Sequence, residues 1–118
     1  AIRIPGGPPA ARRIEHRVAG GDINPYLSFA AILGAAMAGI EDAMTPPAPI
    51  TGNAYDLNLP GLAADWQTAI DRFEASELIA RILPSGLIRN LVMTKRQELS
   101  AMSAIPHEAW WKTYLETV

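Results

Sequence analysis

The feature that most constrains the fold is an uncharged run, residues 26–40, which contains no charged side chain. Asn24 is a favourable N-cap and Pro25 a favourable first helical residue, so we predict a helix over residues 25–44. Its apolar side chains cover most of its circumference, which is typical of a helix that is buried or lies in a membrane. A spanning helix needs about 20 apolar residues, and this run ends sooner, at Glu41. We therefore predict a buried core helix.

The rest of the pattern is helical behind a short β hairpin. Residues 1–5 and 11–18 are predicted strands on either side of a turn rich in Gly and Pro. Caps and helical spacing of apolar residues predict further helices at residues 63–75, 77–83 and 85–103 and from Pro106 onward. The predicted fold class is α+β and predominantly helical, with an N-terminal β hairpin followed by about five helices.

Composition limits the function classes. With 118 residues, 49% of them hydrophobic, the chain is long enough for one small domain with its own core. A formal net charge of -2 predicts no nucleic-acid partner. The absence of cysteine excludes disulfides and thiolate chemistry and is consistent with a reducing compartment. The chain starts with Ala1 rather than Met, and we expect it to be a piece of a longer protein.

The second predicted strand carries charged side chains on one face. Because side chains alternate along a strand, Arg13, Glu15 and Arg17 share a face, and His16 lies on the other with apolar neighbours. If the strands pair, Arg3 lies near the charged face. Guanidinium groups suit phosphate or carboxylate oxygens, and a glutamate suits a hard cation such as magnesium. The pattern predicts a site where a metal-bound polyphosphate meets an acidic substrate.

A solvated strand face with cross-strand ion pairs is the alternative, each pair being worth at most about 1 kcal/mol. Convergence of Arg3, Arg12, Arg13 and Arg17 favours a site, because clustered cations repel one another unless an anion lies among them. We interpret His16 as a packed, hydrogen-bonded histidine rather than a ligand. The sequence has no zinc-ligand spacing, no nucleophilic-serine motif and no glycine-rich phosphate loop.

Several segments resemble the C-terminal part of the glutamine synthetase family. The most specific are Ile2-Arg3-Ile4-Pro5, residues 11–17 (ARRIEHR) and residues 22–27 (DINPYL). Looser similarity continues at residues 30–33, 39–41, 51–56, 77–78 and 95–96. The resemblance covers the whole chain, residues 1–118, as the C-terminal part of a catalytic domain. Residues 1–20 would then be an active-site hairpin and residues 24–118 a helical region.

This resemblance implies an ATP-dependent ligase. The family transfers the γ-phosphate of ATP to the side-chain carboxylate of glutamate, and ammonia or an amine then displaces phosphate. By position, Glu15 resembles the family's ligand to the Mg2+ or Mn2+ ion on the ATP phosphates. Arg17 resembles its glutamate-binding arginine near the transferred phosphoryl group, a catalytic and substrate-binding role. Arg3 and Arg13 resemble its ATP-phosphate arginines, and Arg3 is also assigned a catalytic role.

Two departures leave the amine open. Many bacterial members have Lys where this chain has Ala10, and a small apolar residue where it has His16. The alternatives are a γ-glutamylpolyamine or γ-glutamylmethylamide synthetase, or a non-catalytic assembly or regulatory relative. The resemblance also implies a cytoplasmic enzyme of nitrogen metabolism, a homo-oligomeric ring like the family's dodecamers, and no membrane partner. Because a neighbouring subunit and upstream residues complete the family's site, we expect this chain alone to be inactive.

Overall fold

The computed structural model describes residues 2–115, which form a two-stranded antiparallel sheet followed by helices. The strands are β1 (Ile2–Arg3) and β2 (Glu15–His16), and the α-helices of this part of the chain are α1 (Pro25–Glu41), α2 (Trp66–Glu74), α3 (Glu77–Ile82) and α4 (Ser85–Met102). Short 3-10 segments lie at Pro9–Ala11, Ala54–Asp56 and His107–Thr113. A mostly helical chain with an N-terminal hairpin agrees with the predicted fold class.

The hairpin is shorter than predicted. β1 and β2 pair antiparallel, with Ile2 opposite His16 and Arg3 opposite Glu15. The predicted strands at residues 1–5 and 11–18 overran this ladder; their first residue, Ala1, lies outside the described part. Pro5 has no N–H to extend the ladder, and the 3-10 segment Pro9–Ala11 occupies the approach to β2. Each strand is therefore two residues long.

Helix α1 begins and ends at local signals. The Asn24 side chain accepts a hydrogen bond from the Leu27 N–H at 3.1 Å, as predicted for an N-cap. The helix ends at Glu41 rather than at residue 44, because Ala43 adopts the left-handed conformation with φ of 49°. The Met44 N–H then donates to the Gly39 carbonyl at 2.9 Å, which closes the helix end in a Schellman arrangement.

The prediction that α1 is a buried core helix is wrong for this chain. Ala38 is the buried residue of this helix, whereas Phe29, Leu33 and Ile40 are exposed. One side of α1 packs against α3, and no other element among residues 2–115 covers the apolar side chains turned away from it. None of the helices in the described part is long and apolar enough to cross a membrane.

Helices α2, α3 and α4 form the densest part of the structure. The Asp65 side chain caps α2 by accepting from the Thr68 N–H at 2.7 Å, so the helix begins at Trp66 rather than at residue 63. Helix α2 packs against α4, and α3 contacts both α4 and α1. The buried residues of the described chain are Pro5, Ala38, Ile70, Leu83, Val92 and Met102. The last predicted helix is the 3-10 segment His107–Thr113.

This core is smaller than the sequence indicated. The chain exposes 9839 Å², whereas a compact monomer of 12.7 kDa exposes about 6,200 Å². Its radius of gyration is 17.1 Å, against about 13.5 Å for a compact domain of this length. The expectation of one domain with its own full core is therefore not met by residues 2–115.

The contact between α1 and α3 depends on a glycine. A Cβ atom at Gly34 would lie 2.5 Å from Ile82 Cγ2 and 2.7 Å from Ile82 Cγ1, so the two helices approach more closely than any side chain would allow. Beside this contact, Arg81 donates to Asp42 at 2.7 Å and to Glu41 at 3.1 Å. The end of α1 is thereby fixed to α3.

Replacing Gly34 tests this contact. We expect Gly34→Ala to lower the free energy of unfolding by about 1–2 kcal/mol, because the clash with Ile82 outweighs the gain in helix propensity. Gly39→Ala in the same helix meets no atom within 4 Å, and should raise it by about 0.5–1 kcal/mol. Urea unfolding followed by circular dichroism measures both. Equal effects of the two substitutions would contradict the close approach.

Candidate functional site: the charged face of the hairpin

The hairpin holds one carboxylate between two guanidinium groups. Arg3 Nη1 lies 2.8 Å from Glu15 Oε2, because Arg3 stands directly opposite Glu15 in the ladder. Two residues before Glu15, Arg13 donates to Oε1 through Nη2 at 2.9 Å and through Nε at 3.2 Å. Both oxygens of the carboxylate are thus paired. The structure brings together these three of the four predicted site residues.

These contacts set the charge state of the carboxylate. The hydrogen bond from Arg3 is the largest cause that lowers the pKa of Glu15 below its ordinary value of 4.5, and the hydrogen bond from Arg13 lowers it further. Partial burial opposes them by raising the pKa, since removal from water disfavours the charged form. The hydrogen bonds outweigh the effect of burial, so the pKa of Glu15 is lowered and the carboxylate is ionised at neutral pH.

Arg17, the fourth predicted site residue, is placed differently. It follows the end of β2 and is exposed, and within residues 2–115 its side chain makes no hydrogen bond or ion pair. The Arg12 side chain is likewise exposed and unpaired within that range. Four arginines against one glutamate leave residues 2–20 with three excess positive charges. The hairpin therefore keeps donors available for an anion while Arg3 and Arg13 are paired with Glu15.

The hairpin does not make a complete metal site. Among residues 2–115 no group of three or more His, Asp or Glu side chains is arranged to hold a metal ion. Glu15 is the single carboxylate between residues 2 and 20, and a divalent cation such as magnesium takes several oxygen ligands. Glu15 can supply one of these ligands, and the others have to come from outside the described chain.

The interpretation of His16 as a packed, hydrogen-bonded residue is wrong for this chain. His16 lies opposite Ile2, on the face turned away from Glu15, and is exposed. Its side chain makes no hydrogen bond within residues 2–115. Its apolar neighbours Ile14 and Val18 are exposed as well, because no element of the described chain covers that face of the hairpin.

Polar contacts between the helices were not found by sequence reasoning. Arg96 bridges Asp71 at 3.0 Å and Glu74 at 2.6 Å, joining α4 to α2. The Tyr114 hydroxyl donates to Glu98 Oε1 at 3.0 Å and so fixes the C-terminal 3-10 segment to α4. These pairs join residues more than fifteen positions apart, so the linear sequence carries no signal for them. They hold helices together and are separate from the hairpin.

An arginine-rich strand face around a single carboxylate is typical of proteins that bind phosphate and carboxylate groups. Residues 1–114 match the family model for the glutamine synthetase catalytic domain. The chain belongs to this family. No solved structure matches it.

Curated relatives agree with this assignment. The chain is 34% identical to a glutamate–isopropylamine ligase of Pseudomonas over 92% of its own length and 24% of the relative's. It is 32% identical to a glutamine synthetase of Methanocaldococcus jannaschii, over 82% of the chain and 23% of that protein. A gamma-glutamylethanolamide synthetase of Streptomyces coelicolor is 33% identical over 78% of the chain and 20% of its length. The chain spans about a quarter of the length of the curated relatives it matches.

The pKa of Glu15 tests the pairing directly. We expect Arg3→Gln to raise it, because the strongest hydrogen bond to the carboxylate is removed. Arg17→Gln should leave it unchanged, since Arg17 makes no contact with Glu15. A folded-state pKa below 4.5 means that the ion pairs stabilise the hairpin above that pH and are lost as the pH falls through the lowered value. An NMR titration of the Glu15 carboxyl carbon measures this, and equal shifts in both variants would contradict the pairing.

Proposed function

We propose that this chain is the C-terminal part of the catalytic domain of an ATP-dependent ligase that joins the γ-carboxylate of glutamate to ammonia or an amine. Family membership supports this reaction class. The observation that carries the proposal is the Arg3–Glu15–Arg13 cluster with Arg17 unpaired at its edge. This cluster combines phosphate-binding cations and one hard-metal ligand on a single face.

The reaction has two group transfers. The glutamate γ-carboxylate attacks the γ-phosphorus of ATP, and ADP leaves with the electrons of the broken bond. The amine nitrogen then attacks the carbonyl carbon of the γ-glutamyl phosphate, and inorganic phosphate leaves while the nitrogen loses a proton. Negative charge on the phosphoryl oxygens is stabilised by cations fixed in advance of the reaction. Arg3 on the paired strand and Arg13, held by its two hydrogen bonds to Glu15, meet that requirement in part.

Each side chain has a proposed role in this scheme. Arg3 and Arg13 bind ATP phosphates, with Arg3 also acting in catalysis, and Arg17 binds glutamate and the transferred phosphoryl group. Arg3 and Arg13 can exchange the Glu15 carboxylate for phosphate oxygens, which leaves a Glu15 oxygen available to Mg2+ or Mn2+. The remaining metal ligands and the amine pocket belong to the rest of a catalytic domain, and a ring-shaped homo-oligomer is proposed by analogy with the family.

The relatives include a glutamine synthetase as well as amine ligases. A glutamate–isopropylamine ligase, a glutamine synthetase and a gamma-glutamylethanolamide synthetase match the chain at similar identity, 32–34%. A γ-glutamylpolyamine or γ-glutamylmethylamide synthetase stays the second candidate beside glutamine synthetase. Loss of the metal-binding carboxylates elsewhere in the domain would instead favour a non-catalytic assembly or regulatory relative.

A chimeric ligase provides the test. In this protein, the part of the Pseudomonas glutamate–isopropylamine ligase that matches the chain is replaced by the chain itself. We expect Glu15→Ala and Arg17→Ala in the chimera to lower the rate of isopropylamine-dependent ADP release about 10²–10³-fold, because each removes one fixed electrostatic partner of the reacting phosphate. Glu15→Ala should also weaken the metal dependence, and Arg17→Ala should raise the glutamate requirement.

His16→Ala is the matched control, since it changes the neighbouring residue on the other strand face. It should leave the rate within about threefold, and all three variants should keep the melting temperature of the parent chimera. If Glu15→Ala and Arg17→Ala keep wild-type kinetics while His16→Ala loses activity, the site lies on the His16 face and the assignment to the Glu15 face is wrong.

The chain by itself should be inactive. We expect no glutamate-dependent phosphate release with ATP, Mg2+ and ammonia, isopropylamine or ethanolamine, because one metal ligand and a few arginines do not complete the site. A coupled phosphate assay on the purified chain measures this, with the chimeric ligase as the positive control. Turnover by the chain alone would refute the claim that further residues are essential.

A further inference from the structure

The two oxygens of the Glu15 carboxylate are held unequally. Oε1 accepts two hydrogen bonds from Arg13, and the third nitrogen of that guanidinium donates to the Ala11 carbonyl at 3.3 Å. Oε2 accepts a single hydrogen bond, from Arg3 Nη1 at 2.8 Å. Arg13 is therefore bound at every nitrogen, whereas the contact at Oε2 depends on one bond.

Arg3 keeps donors that Glu15 does not use. A guanidinium carries five N–H donors, and Nε and Nη2 of Arg3 make no contact within residues 2–115. The Arg3 side chain is 56% exposed, whereas that of Glu15 is 27% exposed. An anion that arrives from solvent can therefore bind the unused donors of Arg3 before the pair with Glu15 opens.

The charge of the hairpin acts oppositely on a free cation and on a cation bound to a polyphosphate. Residues 2–20 carry three excess positive charges. This charge repels a free divalent cation, which also has to displace Arg3 to reach Oε2. A divalent cation bound to a triphosphate belongs to a complex of net negative charge, and the same arginines attract that complex. The sign of the charge therefore favours the complexed metal over the free ion.

We propose that Arg3 is a gate on Glu15, through which the hairpin takes a divalent cation together with a polyphosphate and excludes the free ion. Of the two arginines paired with Glu15, Arg3 exchanges the carboxylate for phosphate, because it holds Glu15 by one bond and has unused donors. Oε2 then becomes available to the metal, while Arg13 keeps Oε1 and holds the carboxylate in place. The gate rests on the proposed function, in which Glu15 is a metal ligand, and adds which oxygen is released and by which residue.

Paramagnetic relaxation by Mn2+ tests the gate in the chain by itself. The γ protons of Glu15 are compared with those of Glu77 and Glu108, whose exposed side chains make no hydrogen bond or ion pair within residues 2–115. At pH 7, free Mn2+ should enhance the relaxation of Glu15 about fivefold less than that of these reference glutamates, an effect of the order of one exposed ion pair. With Mn2+ fully complexed by inorganic tripolyphosphate the order should reverse, with Glu15 enhanced about fivefold more.

Two variants separate the gate from the charge of the hairpin. Arg3→Gln and Arg12→Gln each remove one positive charge, but Arg3 contacts Glu15 and the Arg12 side chain is unpaired within residues 2–115. We expect Arg3→Gln to raise the effect of free Mn2+ on Glu15 about fivefold, to the level of the reference glutamates, and Arg12→Gln to stay within about twofold of the wild type. Tripolyphosphate without metal should shift the Nε–H resonance of Arg3 and not that of Arg13.

The hairpin itself is monitored in each protein. A backbone NOE between Ile2 and His16, which lie opposite each other in the ladder, reports that the strands are paired. If Arg3→Gln loses this NOE, the two Mn2+ comparisons in the wild-type chain decide the proposal without that variant. Loss of the NOE in the wild-type chain would overturn the gate, because the pairing of Arg3 with Glu15 depends on the ladder.

Four further results would overturn the proposal. The first is a wild-type chain in which free Mn2+ acts on Glu15 as strongly as on Glu77. The second is an absent preference of the tripolyphosphate complex for Glu15. The third is an equal effect of Arg12→Gln and Arg3→Gln, which would leave net charge as the cause. The fourth is a tripolyphosphate shift at Arg13 in place of Arg3, which would make Oε1 the released oxygen.

Failure of the proposed function is distinguishable from failure of the gate, because the relaxation measurements need no ligase activity. A chain whose Glu15 responds only to the complexed ion keeps the gate even if the chimeric ligase is inactive, and the function is then refuted. An active chimeric ligase, together with a Glu15 that free Mn2+ reaches as readily as Glu77, keeps the function and refutes the gate.

Discussion

The close approach of α1 to α3 is the contact on which the arrangement of the chain depends. Gly34 has no side chain, so Ile82 can pack directly against the helix backbone, and Arg81 secures the end of the helix. This contact turns the apolar side of α1 outward at the same time. One glycine therefore decides which side of α1 is exposed.

The charged face of the hairpin pairs its one carboxylate with two of its four arginines. Exposed ion pairs contribute little stability, so the alternation of Arg13, Glu15 and Arg17 is poorly explained by folding alone. The face holds more cations than its one carboxylate can neutralise, which suits an anion larger and more charged than a side chain. It holds too few oxygen ligands for a metal. Both properties are consistent with a hairpin that contributes one wall to a larger site.

The parts of this structure that follow from local rules could be predicted from the sequence. Two-residue alternation placed Arg13 and Glu15 together, strand pairing brought Arg3 to them, and Asn24 marked the start of α1. Properties that depend on distant residues could not be predicted. The pattern of α1 shows which side chains are apolar but not what covers them, and His16 was misjudged for the same reason.

The order in which elements pair has a consequence for synthesis of the chain. Asp42 at the end of α1 pairs with Arg81, 39 residues further on, so α1 leaves the ribosome well before its partner exists. At 5–20 residues per second this delay is roughly 2–8 s, during which α1, uncharged from Tyr26 to Ile40, lacks its contact with α3. The nascent chain is therefore most vulnerable to aggregation at its own first helix, and chaperone binding would be concentrated there rather than on the later helices, which pair over shorter separations.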